Sequence, residues 1–130
     1  MSVRFHRLTG LSATVDKVVY DPSLNAPPDR PHPFVYFITI HNDSAEVVTI
    51  FGRKWIVRDS GCKELIVVEG DGVVGQFPRI EPGDSFSYNS YHVVRANTKA
   101  LGSFFGSTDK GKNVCVRLAE FKMEPPEGEG

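Results

Sequence analysis

The chain contains no apolar run near the ~20 residues needed to span a bilayer, and its opening, MSVRFHRLTGLS, lacks the apolar core of a secretory leader. Neither sign of charge predominates. With 15 basic and 16 acidic residues the net charge is -1, and no long block of either sign occurs, so charge offers no pull toward nucleic acid or an anionic membrane. There are only two cysteines, Cys62 and Cys115. They read as reduced thiols, at least one of them in the core, that pair only if the fold brings them together. A cytoplasmic protein without nucleic-acid or membrane partners is expected.

The usual marks of catalysis are also missing. His6, His32, His41 and His92 show neither paired spacing nor company from the cysteines, so zinc or cobalt has no ligand signature. All four read as surface residues, His41 half-covered at a strand end. No serine sits in a nucleophile elbow and neither cysteine has an adjacent base. No enzyme and no cofactor are implied.

What is present is glycine, proline and alternation. A length of 130 residues with 40% hydrophobic content suits one domain, placed at residues 1–123, with MEPPEGEG supplying a tail, 124–130, that has nothing to bury and is expected to be disordered. Twelve glycines and nine prolines interrupt any helix longer than about three turns, and the apolar pattern between them has period two. In FVYFITIHN, Phe34, Tyr36, Ile38 and Ile40 take one face and Val35, Phe37, Thr39 and His41 the other, as in a central strand. EVVTIFGRKWIVRD follows, with a bulge or bend expected at Gly52, and the two strands read as a hairpin. LSATVDKVVY, KELIVVE, DSFSYNS, KALGSFFGST and KNVCVRLAEFKM complete about seven antiparallel strands, which predict an all-β sandwich of immunoglobulin or fibronectin type III kind. The stretch DPSLNAPPDRPHP holds five of the prolines and reads as an exposed connection.

One stretch invites a chemical reading. In EGDGVVGQFPRIEPG the glycines fall in the spacing G-x-G-x-x-G, which cradles a pyrophosphate when a strand precedes it and a helix follows. KELIVVE supplies the strand, but Pro78 and Pro82-Gly83 stop any helix after Gly75, so the dinucleotide reading fails. A shaped loop between strands remains. Its ligand reading is an anion site for pyrophosphate or a nucleotide, built from Gly70, Asp71, Gly72, Gly75 and Arg79, with Arg53 or Lys54 in support. Asp59, Glu69 and Asp71 are weaker candidates for a hard divalent cation. Trp55 and Tyr88 read as core rather than interface anchors.

The same residues carry a family resemblance. Arg53, Trp55, Val57 and Asp59, then Gly70, Gly72, Val73, Val74, Gly75, Pro78, Ile80, Pro82, Gly83, Phe86, Tyr88 and Ser90, fill a pattern that resembles the ApaG family of small bacterial proteins, over about residues 10 to 123. After Ser90 the family's usual G-x-Met-x-Gly-x-Tyr gives way to Gly102, Phe104, Gly106 and Thr108. The resemblance implies a sandwich without known enzymatic activity, loosely associated with cobalt and magnesium homeostasis in bacteria, whose eukaryotic relatives serve in protein–protein interaction. Two readings stand: a non-enzymatic interaction module, with a protein partner and a homodimer through a sheet edge both open, or a small-anion or divalent-metal binder acting through GDGVVG.

Overall fold

The computed structural model describes residues 4–60 and 65–126, and every regular element among them is a strand. In chain order these are β1 (His6–Arg7), β2 (Leu11–Tyr20), β3 (His32–Asn42), β4 (Val48–Asp59), β5 (Leu65–Asp71), β6 (Arg79–Ile80), β7 (Ser85–Val94), β8 (Thr98–Thr108) and β9 (Asn113–Met123). They make two layers. A six-stranded sheet runs β1-β9-β8-β4-β5 with β6 also on β4, and a three-stranded sheet runs β2-β3-β7. The seven longer strands are those the alternation predicts, and their pairings are antiparallel. The short β1 lies parallel to β9. Phe34, Tyr36, Ile38 and Ile40 of β3 meet Trp55, Phe104 and Leu118 of the larger sheet in the core. Trp55 is buried, as expected, within 5.1 Å of the Tyr36 ring and 5.8 Å of Phe121.

The expected hairpin between FVYFITIHN and EVVTIFGRKWIVRD does not form. β3 is the centre of the small sheet and β4 lies inside the large one, so residues 43–47 cross the sandwich. Asn42, fully buried, accounts for the crossing. Its Nδ2 donates to the carbonyls of Glu46 (2.8 Å) and Ile80 (2.9 Å), and its Oδ1 accepts from the amide (3.1 Å) and hydroxyl (2.6 Å) of Ser44. The side chain thus satisfies the backbone of a bend between layers, where a hairpin would have satisfied it by strand pairing.

Bulges re-phase the alternation at three points. Asp16 is the extra residue of β2, Phe51 and Gly52 together oppose Phe105, and Ala119 with Glu120 opposes Leu101. An inserted residue swaps the faces of everything beyond it. Burial therefore moves from Val48 and Ile50 to Trp55, Val57 and Asp59 on β4, and from Val114, Val116 and Leu118 to Phe121 and Met123 on β9.

The proline segment is a connection, as expected, although Pro33 enters β3 and is fully buried opposite Val93. Cys115 is a free, half-buried thiol, while Cys62 lies outside the described residues. Of the expected tail, 124–126 have no regular structure and 127–130 lie outside the described residues.

His92 departs from the expected surface position. The alternation of β7 runs beyond DSFSYNS, turning Tyr91 outward and His92 inward, where the ring stacks on Tyr36 at 4.9 Å and meets Trp55 edge-on at 5.4 Å. Its Nε2 is buried without a hydrogen-bond partner among the described residues. Burial pushes the ring's pKa down to about 4, because the imidazolium would lose its hydration there.

Candidate functional site

The glycine loop leaves the end of β5 and folds back on β4. Gly72 N–H donates to Phe51 O at 2.7 Å, and Ile50 N–H donates to Pro78 O at 2.9 Å. Between these anchors Val73 and Gln76 exchange two backbone bonds, at 2.8 and 3.0 Å, closing a two-residue turn over Val74 and Gly75. Both have positive φ, 45° and 77°, as a type I′ turn demands. Glycine meets that demand at 75. At 74 a β-branched residue holds a left-handed backbone, which is rare and strained. Val73, fully buried, pins the turn to the core.

The amides of Gly72, Val73 and Gln76 are therefore committed to carbonyls. The cations are committed as well. Arg53 lies on the inner side of the sheet, where its charge acts on the hydroxyls of Tyr36 and Tyr88, both with pKa values that burial raises. From there its Nη1 reaches the carbonyls of Asp71 (2.9 Å) and Gly72 (3.1 Å). It crosses Gly70 so closely that a Cβ at that position would stand 2.6 Å from the guanidinium. Gly70 thus makes room for Arg53. Arg79 sits on β6, beyond the turn, with Nη1 on Glu81 Oε1 at 2.9 Å and Nη2 on Asp109 Oδ2 at 2.6 Å.

The three carboxylate candidates do not converge. Asp59 closes one end of β4, buried, and accepts from Arg95 N–H at 2.9 Å. Asp71 pairs with Gly52 near the other end of the ladder, and Glu69 faces Lys54, Nζ to Oε1 3.5 Å. At ~3.3 Å per residue, the seven residue steps along β4 from Gly52, the partner of Asp71, to Asp59 separate the two carboxylates' positions by about 23 Å.

What the loop shows to solvent is apolar. Val74 is 50% exposed and Phe77 58% exposed. Beside it on the outer face of the large sheet lies an open cleft of ≈ 620 Å³, walled by Phe5, Phe51 and Phe105 with Lys54 and Glu69 among its lining. Phe5 packs edge-on against Phe105 at 5.0 Å. Sequence reasoning grouped Arg53 with the anion site and did not anticipate it as a clamp. The register that sets Arg53 opposite a glycine, Gly70, belongs to the strand pairing and leaves no mark in the sequence.

Comparison with known proteins agrees with this architecture. The family model for the ApaG domain matches residues 22–107. Protein ApaG of Bdellovibrio bacteriovorus is 37% identical over 112 residues, spanning 85% of this chain and 87% of that one. Protein ApaG of Vibrio vulnificus is 37% identical over 94 residues, 72% of this chain and 74% of that one. Among solved structures, one described as the putative ApaA protein from Bordetella pertussis superposes with a TM-score of 0.81 at 27% identity, covering 94% of this chain and 98% of that chain.

Proposed function

Since the chain belongs to the ApaG domain family, we propose that it is a non-enzymatic protein-interaction module that engages a protein partner through the tip of the glycine loop. The observation that carries this reading is the commitment of the loop's polar groups. The amides of Gly72, Val73 and Gln76 are bonded to carbonyls, and the guanidinium groups of Arg53 and Arg79 to carbonyls and carboxylates, whereas the side chains of Val74 and Phe77 stand in solvent. A rigid turn presenting two apolar side chains suits a protein surface, where burying them gains about 1.5–3 kcal/mol each. The two-sheet frame, of the immunoglobulin and fibronectin kind, serves as the support. An association with cobalt or magnesium homeostasis would on this reading act through the partner, not through a metal held by Asp59, Glu69 and Asp71. The competing reading is binding of pyrophosphate or a nucleotide at Gly70, Asp71, Gly72, Gly75 and Arg79, and it requires Arg79 to exchange Glu81 and Asp109 for the ligand.

The test has two arms. A photo-crosslinking residue at Phe77, introduced in cells, is expected to trap one discrete protein, which the same residue at Glu120 does not trap. Amide spectra recorded during addition of pyrophosphate, then magnesium or cobalt, at constant ionic strength are expected to stay still. Saturable shifts at Gly70, Gly72 and Gly75, abolished by Arg79→Ala, would instead establish the ligand reading and overturn this one.

A further inference from the structure

We infer that two copies of this protein associate through β5, the strands pairing antiparallel about a two-fold axis at Val67 to make one continuous sheet. β5 is the last strand on its side of the large sheet, and among the described residues no strand pairs its outer edge. The ladder with β4 fixes which of its backbone groups are free. Gly72 N–H donates to Phe51 O, and bonded and unbonded pairs alternate along an antiparallel ladder. Ile66, Val68 and Gly70 therefore turn their N–H and C=O groups to β4, and Leu65, Val67 and Glu69 turn theirs outward. Arg53 caps the carbonyl of Asp71 and ends the free edge there.

Sheet edges are ordinarily protected by lysine, proline, charge or a bulge. β2 carries its bulge at Asp16 next to Lys17. β5 offers LIVVE, with Leu65 50% and Val67 52% exposed.

The outer face of the sheet identifies the occupant as a second copy. Leu101, Ile56 and Val67 lie in register across β8, β4 and β5, forming an apolar row that runs to the open edge with Leu101 42% exposed. On one side of it lies the row Lys99, Arg58, Leu65, and on the other the row Ser103, Lys54, Glu69. A two-fold axis at Val67 reverses the order of rows across the junction. Val67 then faces Val67 of the second copy, so the apolar row doubles in length, and Leu65 faces Glu69 of the second copy. Arg58, one strand back, comes within the reach of a long side chain of that carboxylate. Self-pairing requires a surface that complements its own rotated image, and an apolar centre flanked by a cation on one side and an acid on the other meets the requirement. The inference uses β5 and the outer face, not Val74 and Phe77, so it stands or falls apart from the partner surface proposed above.

The experiment is sedimentation equilibrium of the full chain from about 1 μM to about 1 mM, the range in which modest interfaces populate both states, with amide exchange measured at both ends. The expected result is a reversible monomer–dimer mass and protection of the Val67 and Glu69 amides that rises with concentration. Val67→Lys, at a half-exposed site, is expected to raise the dissociation constant by about tenfold or more, ~1.4 kcal/mol, because two like charges would stand directly opposite each other across the paired strands. Arg58→Glu is expected to weaken the dimer and the double change Arg58→Glu, Glu69→Arg to restore part of it, which keeps the test decisive should the lysine variant disturb the fold. A monomer throughout, assembly beyond a dimer, or a dimer indifferent to these changes would overturn the inference.

Discussion

Gly102 lies against the indole of Trp55: a methyl group built on Gly102 would come within 2.7 Å of Cζ3 and 2.9 Å of Cη2. The two residues are partners across β4 and β8, so the absent side chain on one strand makes the space that the largest side chain of the core fills on the next. Gly102→Ala is expected to destabilise the fold by about 1–3 kcal/mol, the usual cost of overpacking a filled core. Urea unfolding checks it against Gly52→Ala, where the nearest neighbour of a new methyl is 3.7 Å away and the loss is expected to be small.

Arg53 holds the glycine loop from behind. Arg53→Ala strips the carbonyls of Asp71 and Gly72 of their donor and is expected to cost about 1–3 kcal/mol. The distinguishing result is local: amides from Gly72 to Gln76 exchange faster well below the global transition, while β3 and β9 keep their protection. Arg53→Lys is expected to rescue little, because a compact ammonium on a shorter reach cannot reproduce the planar fork that lies across Gly70.

His92 makes stability depend on pH. Its folded pKa, about 4, lies below the ordinary value of 6.5, so between these values the unfolded chain binds the proton more readily. The neutral ring's contribution is complete above pH 6.5 and is lost as pH falls from 6.5 toward 4. The loss is on the order of 3 kcal/mol at most. Unfolding measured from pH 7 to pH 4 is expected to show this fall, and His92→Phe is expected to flatten it. An equal slope in both proteins would assign the effect to other groups.

Val74 stores strain at the loop tip. Val74→Asn, which tolerates the left-handed backbone, is expected to raise stability by roughly 1 kcal/mol as read by thermal unfolding. The same change removes an exposed apolar group, so it is expected to weaken partner capture at Phe77. A variant that is both more stable and less active would show that the valine is retained for contact and not for the fold.

Most of the fold was legible because alternation with period two survives wherever a strand has one face in the core, as in Phe34, Tyr36, Ile38 and Ile40. The bend at Gly52 was legible for the same reason, a glycine between β-branched runs. The pairing of β3 and β4 was misread, since alternation says which face is buried and not which sheet a strand joins. Asn42, the residue that decides this, looks in sequence like any turn residue. His92 was missed because Tyr91, His92 and Val93 alternate too weakly to show phase. β1 and β6 span two residues each, too few to carry a period. At the candidate site, the glycines marked a real turn, but only the register with β4 shows that Arg53 is spent on the loop's own carbonyls.

The placement of β3 also sets a timetable for synthesis. Its strand partners are β2, which precedes it, and β7, with His41 opposite Ser85 and His32 opposite Val94. A nascent chain emerging from the ribosome can zip β2 to β3 across the proline connection, then must carry the apolar centre of the small sheet with one flank unsealed until residue 94 is out. Contacts of such long sequence separation fold slowly, and the interval is where a chaperone would have most to shield.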